Sequence, residues 1–104
     1  MAELEIEPQY LTDYLAILQE NAAKSVELEP GVIAIFPMQQ AKNPNQIRIV
    51  EIYASTTAYQ SHLQTAHFQY YKTATLKMVK SLALVEMQSI DPKSMDKILR
   101  KIKQ

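Results

Sequence analysis

Cysteine is absent from the 104 residues, so the chain has no disulfide framework, no thiol nucleophile and no thiolate metal site. An excess of either charge is absent too: 11 basic residues balance 11 acidic ones. That leaves no electrostatic footprint for phosphate backbones or anionic lipid, and neither nucleic acid nor membrane is an expected partner. The one basic cluster, Arg100, Lys101 and Lys103, reads as the solvated end of a C-terminal helix, where cations meet the favourable end of the dipole. No apolar run approaches the roughly 20 residues of a membrane span. Met1-Ala2-Glu3-Leu4-Glu5 is not a signal peptide. The expectation is a soluble, cytoplasmic chain, with export of a longer, trimmed precursor left open.

What is present is the length and apolar share, 47%, of one ordinary globular domain. Leu4 and Ile6 alternate with Glu3, Glu5 and Glu7, a period of two that predicts a half-buried strand ending before Pro8. From Pro8 the period becomes helical through Leu11, Tyr14, Leu18 and Ala22 to about Val26. Glu29-Pro30-Gly31 breaks the chain. Val32-Ile33-Ala34-Ile35-Phe36 has no polar alternation and predicts a second strand covered on both faces. After the turn at Asn43-Pro44-Asn45, the β-branched run Ile47 to Tyr53 predicts a third strand, with Ile47, Ile49, Glu51 and Tyr53 on one face.

Ser55-Thr56-Thr57 offers caps for a short helix holding Ala58, Tyr59, His62 and Leu63. A second helical piece starts at about Thr65 and carries Phe68, Tyr71 and Thr75 on one face, the two being joined near Gln64. Leu82 to Met87 predicts the last strand, and Asp91-Pro92 opens a helix striped by Met95, Ile98, Leu99 and Ile102. The order is that of a ferredoxin-like βαββαβ domain, an α+β fold over residues 1–90, followed by a C-terminal amphipathic helix over 91–104. That helix is expected on the same domain or on a partner copy. Both helices of such a fold cover one sheet face and leave the other bare. Strands two and four offer apolar residues on both faces, so a second copy, making a homodimer and a dimeric α/β barrel, is the expected cover; the C-terminal helix itself is the alternative.

The chemically interesting set is Glu51, Tyr53, His62 and His67 with their aromatic neighbours. Glu51 and Tyr53 share a strand face at a spacing of two, and Ala58 and His62 a helix face at a spacing of four. If the helices cover that strand face, a carboxylate, a phenol and an imidazole converge in an apolar pocket, the usual setting of a small-molecule site. The plainer alternatives are that the histidines tether the helix junction and that Glu51 is a buried carboxylate paired to a neighbour.

Glu29-Pro30-Gly31, then Glu51-Ile52-Tyr53, Ala58, His62 and Thr65-Ala66-His67-Phe68, resemble the antibiotic biosynthesis monooxygenase family, whose pattern is E-P-G, E-x-Y, an alanine, a histidine and T-P-H-F or T-P-H-Y. The branches of that family include quinol monooxygenases and an isomerase of phosphorylated autoinducer-2. Ala66 stands where the family pattern has proline, which alters the helix entry at His67. The resemblance implies a dimeric α/β barrel with a cleft between sheet and helices. It also implies oxygenation of an electron-rich phenol, quinol or enol by molecular oxygen, with no metal, haem, flavin or other cofactor. Haem-degrading relatives depend on a tryptophan, and this chain has none, which sets haem breakdown aside.

On this reading His62 is the first candidate for the base and His67 the second, because an imidazole with an ordinary pKa of about 6.5 is easily poised at working pH. Glu51 orients an imidazole, Tyr53 donates a hydrogen bond, and Phe36, Tyr59, Phe68 and Tyr71 wall the substrate pocket. Three functions follow: a cofactor-independent monooxygenase on a small quinol-like or polyketide-like aromatic; an isomerase of a small oxo-sugar phosphate, for which Lys24, Lys42 and Arg48 are the phosphate-clamp candidates; and a non-catalytic dimeric small-molecule-binding protein.

Overall fold

In the computed structural model, which describes residues 1–90, the chain runs β1 (Ala2–Ile6), a 3-10 turn (Pro8–Tyr10), α1 (Leu11–Leu28), β2 (Val32–Gln39), β3 (Gln46–Tyr53), α2 (Thr56–Leu63), α3 (Ala66–Thr75), a second 3-10 turn (Leu76–Met78) and β4 (Val79–Leu84). The four strands form one antiparallel sheet in the order β2-β3-β1-β4, a ferredoxin-like βαββααβ fold. The 91–104 helix expectation lies outside the described residues. No helix among the described residues is long and apolar enough to cross a membrane.

Alternation places the core. Ala2, Leu4 and Ile6 of β1 face the helices beside Ile47 and Ile49 of β3, and Tyr14, Leu18 and Met78 close over them. Ile6 and Tyr14 lose all contact with solvent. Each such apolar side chain contributes about 1.5–3 kcal/mol relative to exposure. The break between α2 and α3 is fixed by two caps: Ser55 Oγ accepts from Ala58 N and Thr65 Oγ1 from Phe68 N. α1 begins later than its periodicity predicts, because Pro8 opens a 3-10 turn, and ends later, at Leu28.

The long apolar runs sit at the sheet's edges, not at its centre. β2 is apolar on both faces: the register places Val32, Ile35 and Pro37 on the helix side, and Ala34, Phe36 and Met38 with Val50 and Ile52 on the open side. Phe36 is 62% exposed. β4 behaves differently. It starts earlier than the expected Leu82 and stops at Leu84, it pairs only Ser81 and Ala83 with the open-face residues of β1, and its Leu82 and Leu84 stand exposed on the helix side, opposite Leu4 and Ala2. The open face is therefore apolar over β2 and the Val50–Ile52 half of β3 and charged around β1, where Glu3 meets Arg48 of β3 and Glu5 meets Lys80 of β4.

Candidate active site

The turn that ends α1 is the first component. Glu29 N donates to Ser25 O, continuing the helix, while Val32 N donates back to Glu29 O and Ala54 N to Gly31 O. Gly31 is required here by proximity: a Cβ at this position would lie 2.5 Å from the Ala58 Cβ and 3.4 Å from its Cα. Neither atom can swing away, being at or next to the backbone of α2. The Gly31–Ala58 approach thus holds the turn against α2 and sets Glu29 beside the histidines.

Glu29 bridges both imidazoles. Its Oε2 lies 2.8 Å from His62 Nδ1 and 2.6 Å from His67 Nε2. The three side chains are 12%, 1% and 10% exposed respectively. Burial alone raises the Glu29 pKa, but the hydrogen bonds from His62 and His67, with their charge, outweigh it and hold the carboxyl below its usual range. An ionised carboxylate only accepts, so both rings donate N–H to it. In its neutral form each ring then keeps its lone pair on the other nitrogen, Nε2 of His62 and Nδ1 of His67. Thr65 Oγ1 donates to His62 O, tying the α2–α3 junction that carries both rings.

A second cluster lies on the covered sheet face. Tyr53 OH donates to Glu51 Oε1 at 2.8 Å, and the Tyr14 and Tyr71 hydroxyls pair at 2.6 Å. All three phenols are held above the ordinary tyrosine value: burial is the main cause for each, and the Glu51 carboxylate adds to it. Rings join the two clusters. His62 lies 5.5 Å from Tyr53 and 4.9 Å from Phe68, and Phe68 and Tyr14 each lie 6.1 Å from Tyr71. Tyr59 stands edge-on to Tyr53 at 5.1 Å.

The structure thus brings together His62, His67, Tyr53, Tyr59, Phe68 and Tyr71, with Glu51 beside Tyr53. Two placements differ from the sequence reading. The carboxylate that meets the imidazoles is Glu29, and Glu51 is engaged by a phenol instead. Phe36 is on the opposite sheet face, paired with Val50, because the register shift between Val32 and Ala34 fixes which side of β2 it takes. The signal for Glu29 was its place in the Glu29-Pro30-Gly31 turn. Two clefts flank the cluster: one of about 310 Å³ between α1 and α3, reaching His67, and one of about 440 Å³ beside α2, reaching Glu29, Ser61 and Thr65. The donor atoms of Glu29, His62 and His67 lie within 4.8 Å of one another, a two-histidine, one-carboxylate set able to ligate a metal.

Comparison with known proteins bears on the family and the fold. The family model described as antibiotic biosynthesis monooxygenase matches residues 1–74. A solved structure assigned to the antibiotic biosynthesis monooxygenases from Bacteroides thetaiotaomicron is 40% identical, with a TM-score of 0.86 over 88% of this chain and 87% of that one. Structures so assigned from Nitrosomonas europaea (17% identity, TM-score 0.82, 88% of each chain) and Caulobacter crescentus (20% identity, TM-score 0.81, 86% of each chain) share the fold. No curated protein matches the sequence. The chain belongs to the antibiotic biosynthesis monooxygenase family.

Proposed function

We propose that the chain is a monooxygenase acting on a small quinol-like or polyketide-like aromatic, with an imidazole of the Glu29–His62–His67 cluster as its base and no flavin or haem. The observation that carries this reading is one ionised carboxylate holding two histidines, at 2.8 and 2.6 Å, against a wall of aromatic rings. Glu29 fixes the tautomer of each ring, leaving a lone pair on the far nitrogen to take a phenolic proton. The phenolate then passes one electron to dioxygen, and the aryloxyl radical and superoxide combine to form a C–O bond. The imidazolium returns its proton to the peroxide, the ring carbon that took oxygen loses its hydrogen as a proton, and the O–O bond breaks with departure of hydroxide, which that proton converts to water. One oxygen atom remains on the product quinone and the other departs in water. Tyr53, Tyr59, Phe68 and Tyr71 exclude solvent from the intermediates.

Of the phosphate-clamp candidates for an isomerase, Arg48 is engaged with Glu3 and Gln46, Lys42 lies in the β2–β3 connection and lines neither cleft, and Lys24, which shares a cleft with His67, is paired to Glu20 at 2.9 Å. That favours oxygenation over isomerisation. In the same reading a second copy covers the open face at Phe36, Met38, Val50 and Ile52, making a homodimer. Oxygen uptake with a panel of reduced quinones tests the function. The reading expects uptake with at least one member and loss of it in His62→Ala, and no uptake across the panel would overturn it.

A further inference from the structure

We infer that Glu29, His62 and His67 form a binding site for one divalent first-row transition-metal ion of the iron, cobalt or zinc type. The donors come from three separate elements: the turn after α1, the last turn of α2 and the first turn of α3. The fold itself therefore holds them together. Two imidazoles and one carboxylate with open positions are the donors such ions favour, and all three are buried or nearly so.

The geometry is close to what an ion needs. At metal–ligand distances of about 2.0–2.2 Å, neighbouring donors sit about 3.0–3.4 Å apart. The two nitrogens, within 4.8 Å of each other, close by up to roughly 1.5 Å in all, while Glu29 Oε2 backs away from its present 2.8 and 2.6 Å contacts by about half an ångström. Side-chain rotation supplies both shifts. The ion takes His62 Nδ1 and His67 Nε2, the same atoms that now carry hydrogen toward Glu29. A neutral ring moves its proton to the far nitrogen on binding, and a protonated ring releases one, so affinity rises with pH. The 440 Å³ cleft at Glu29, with the hydroxyls of Ser61 and Thr65, leaves room for water or another oxygen ligand to complete the shell. The neighbouring cation, Lys24, is neutralised by Glu20.

This inference uses the same side chains as the proposed base and does not depend on catalysis: while the ion is bound the far nitrogens carry hydrogen, so the metal-bound cluster is not the base and the metal-free one is. The test is titration of the full-length, chelator-treated chain with cobalt(II), read by visible absorption, and with zinc(II), read by calorimetry. The expected result is one ion per chain, cobalt bands of a low-coordinate nitrogen and oxygen site, and affinity at least about tenfold weaker in Glu29→Gln and in His67→Gln. Glu29→Asp, which keeps a carboxylate, serves if Glu29→Gln fails to fold and is expected to retain binding. Absence of both cobalt bands and zinc heat overturns the inference, as does binding that Glu29→Gln and His67→Gln leave unchanged. Oxygen uptake without any metal binding would remove this inference and keep the functional reading, while metal binding without oxygen uptake would do the reverse.

Discussion

Replacing Glu29 probes stability and site together. Its Oε2 accepts one hydrogen bond from each of two imidazoles, and hydrogen bonds to a charged group contribute about 1.5–3 kcal/mol each. Glu29→Gln keeps a carbonyl acceptor of the same shape but removes the charge, so about half of that contribution is lost, roughly 2 kcal/mol at neutral pH. Glu29→Ala leaves both rings without a partner, and His62 has 1% exposure with which to find water, so roughly 4 kcal/mol is expected. At about 4–8 °C per kcal/mol for a domain of this size, Tm falls by about 8–16 °C in the glutamine variant and further in the alanine variant. The pH profile adds a second readout. Because the folded carboxyl is held below its ordinary 4.5, the unfolded chain binds more protons in the interval below that value. Stability therefore rises with pH there, is complete above it, and is lost as pH falls through the lowered folded value. Glu29→Gln removes that part of the acid slope. Urea unfolding followed by circular dichroism at neutral and acid pH measures both effects. A glutamine variant within about 0.5 kcal/mol of the parent, with the same acid profile, would refute the bridging role.

Gly31→Ala is expected to cost about 1–3 kcal/mol, because the new methyl meets Ala58 Cβ at 2.5 Å, and Ala58→Gly in that background recovers part of the loss. A Gly31→Ala chain as stable as the parent in urea would contradict the close approach. Tyr14, Tyr53 and Tyr71 stay neutral above the ordinary value of 10.0, so the native state binds more protons than the unfolded one and stability falls as pH rises past that point. Tyrosinate absorbance should show these three of the six tyrosines ionising only as the protein unfolds; ionisation of all six with helix content intact would count against the buried cluster. Phe36→Asp places a charge on the exposed apolar half of the open face and should convert a dimer to a single chain in sedimentation velocity. Unchanged sedimentation would remove that face from the interface.

Local periodicity made much of this molecule readable. Strict alternation over Ala2–Ile6 gave β1 and its buried face, and the spacing of two put Glu51 and Tyr53 together beneath the helices. The Ser55 hydroxyl marked the start of α2. Glu29 escaped because its partners lie 33 and 38 residues away in sequence, and no period relates a turn carboxylate to side chains on two later helices. Phe36 escaped for a different reason. A run that is apolar at every position carries no phase, so only the register with β3 shows which face it takes. The same ambiguity hid the fact that the two apolar runs form the sheet's edges, since order within a sheet follows from pairing and not from hydropathy.

The central claim is that the Glu29–His62–His67 cluster performs the proton chemistry of an oxygenase. Incubation with reduced naphthoquinones under oxygen-18 gas, with mass spectrometry of the products, tests it most directly. The expected result is one labelled atom in the product quinone and one in water, with the rate reduced about 10²–10⁴-fold in His62→Ala and lowered in Glu29→Gln. Label incorporated at the parent rate in both variants would contradict the claim.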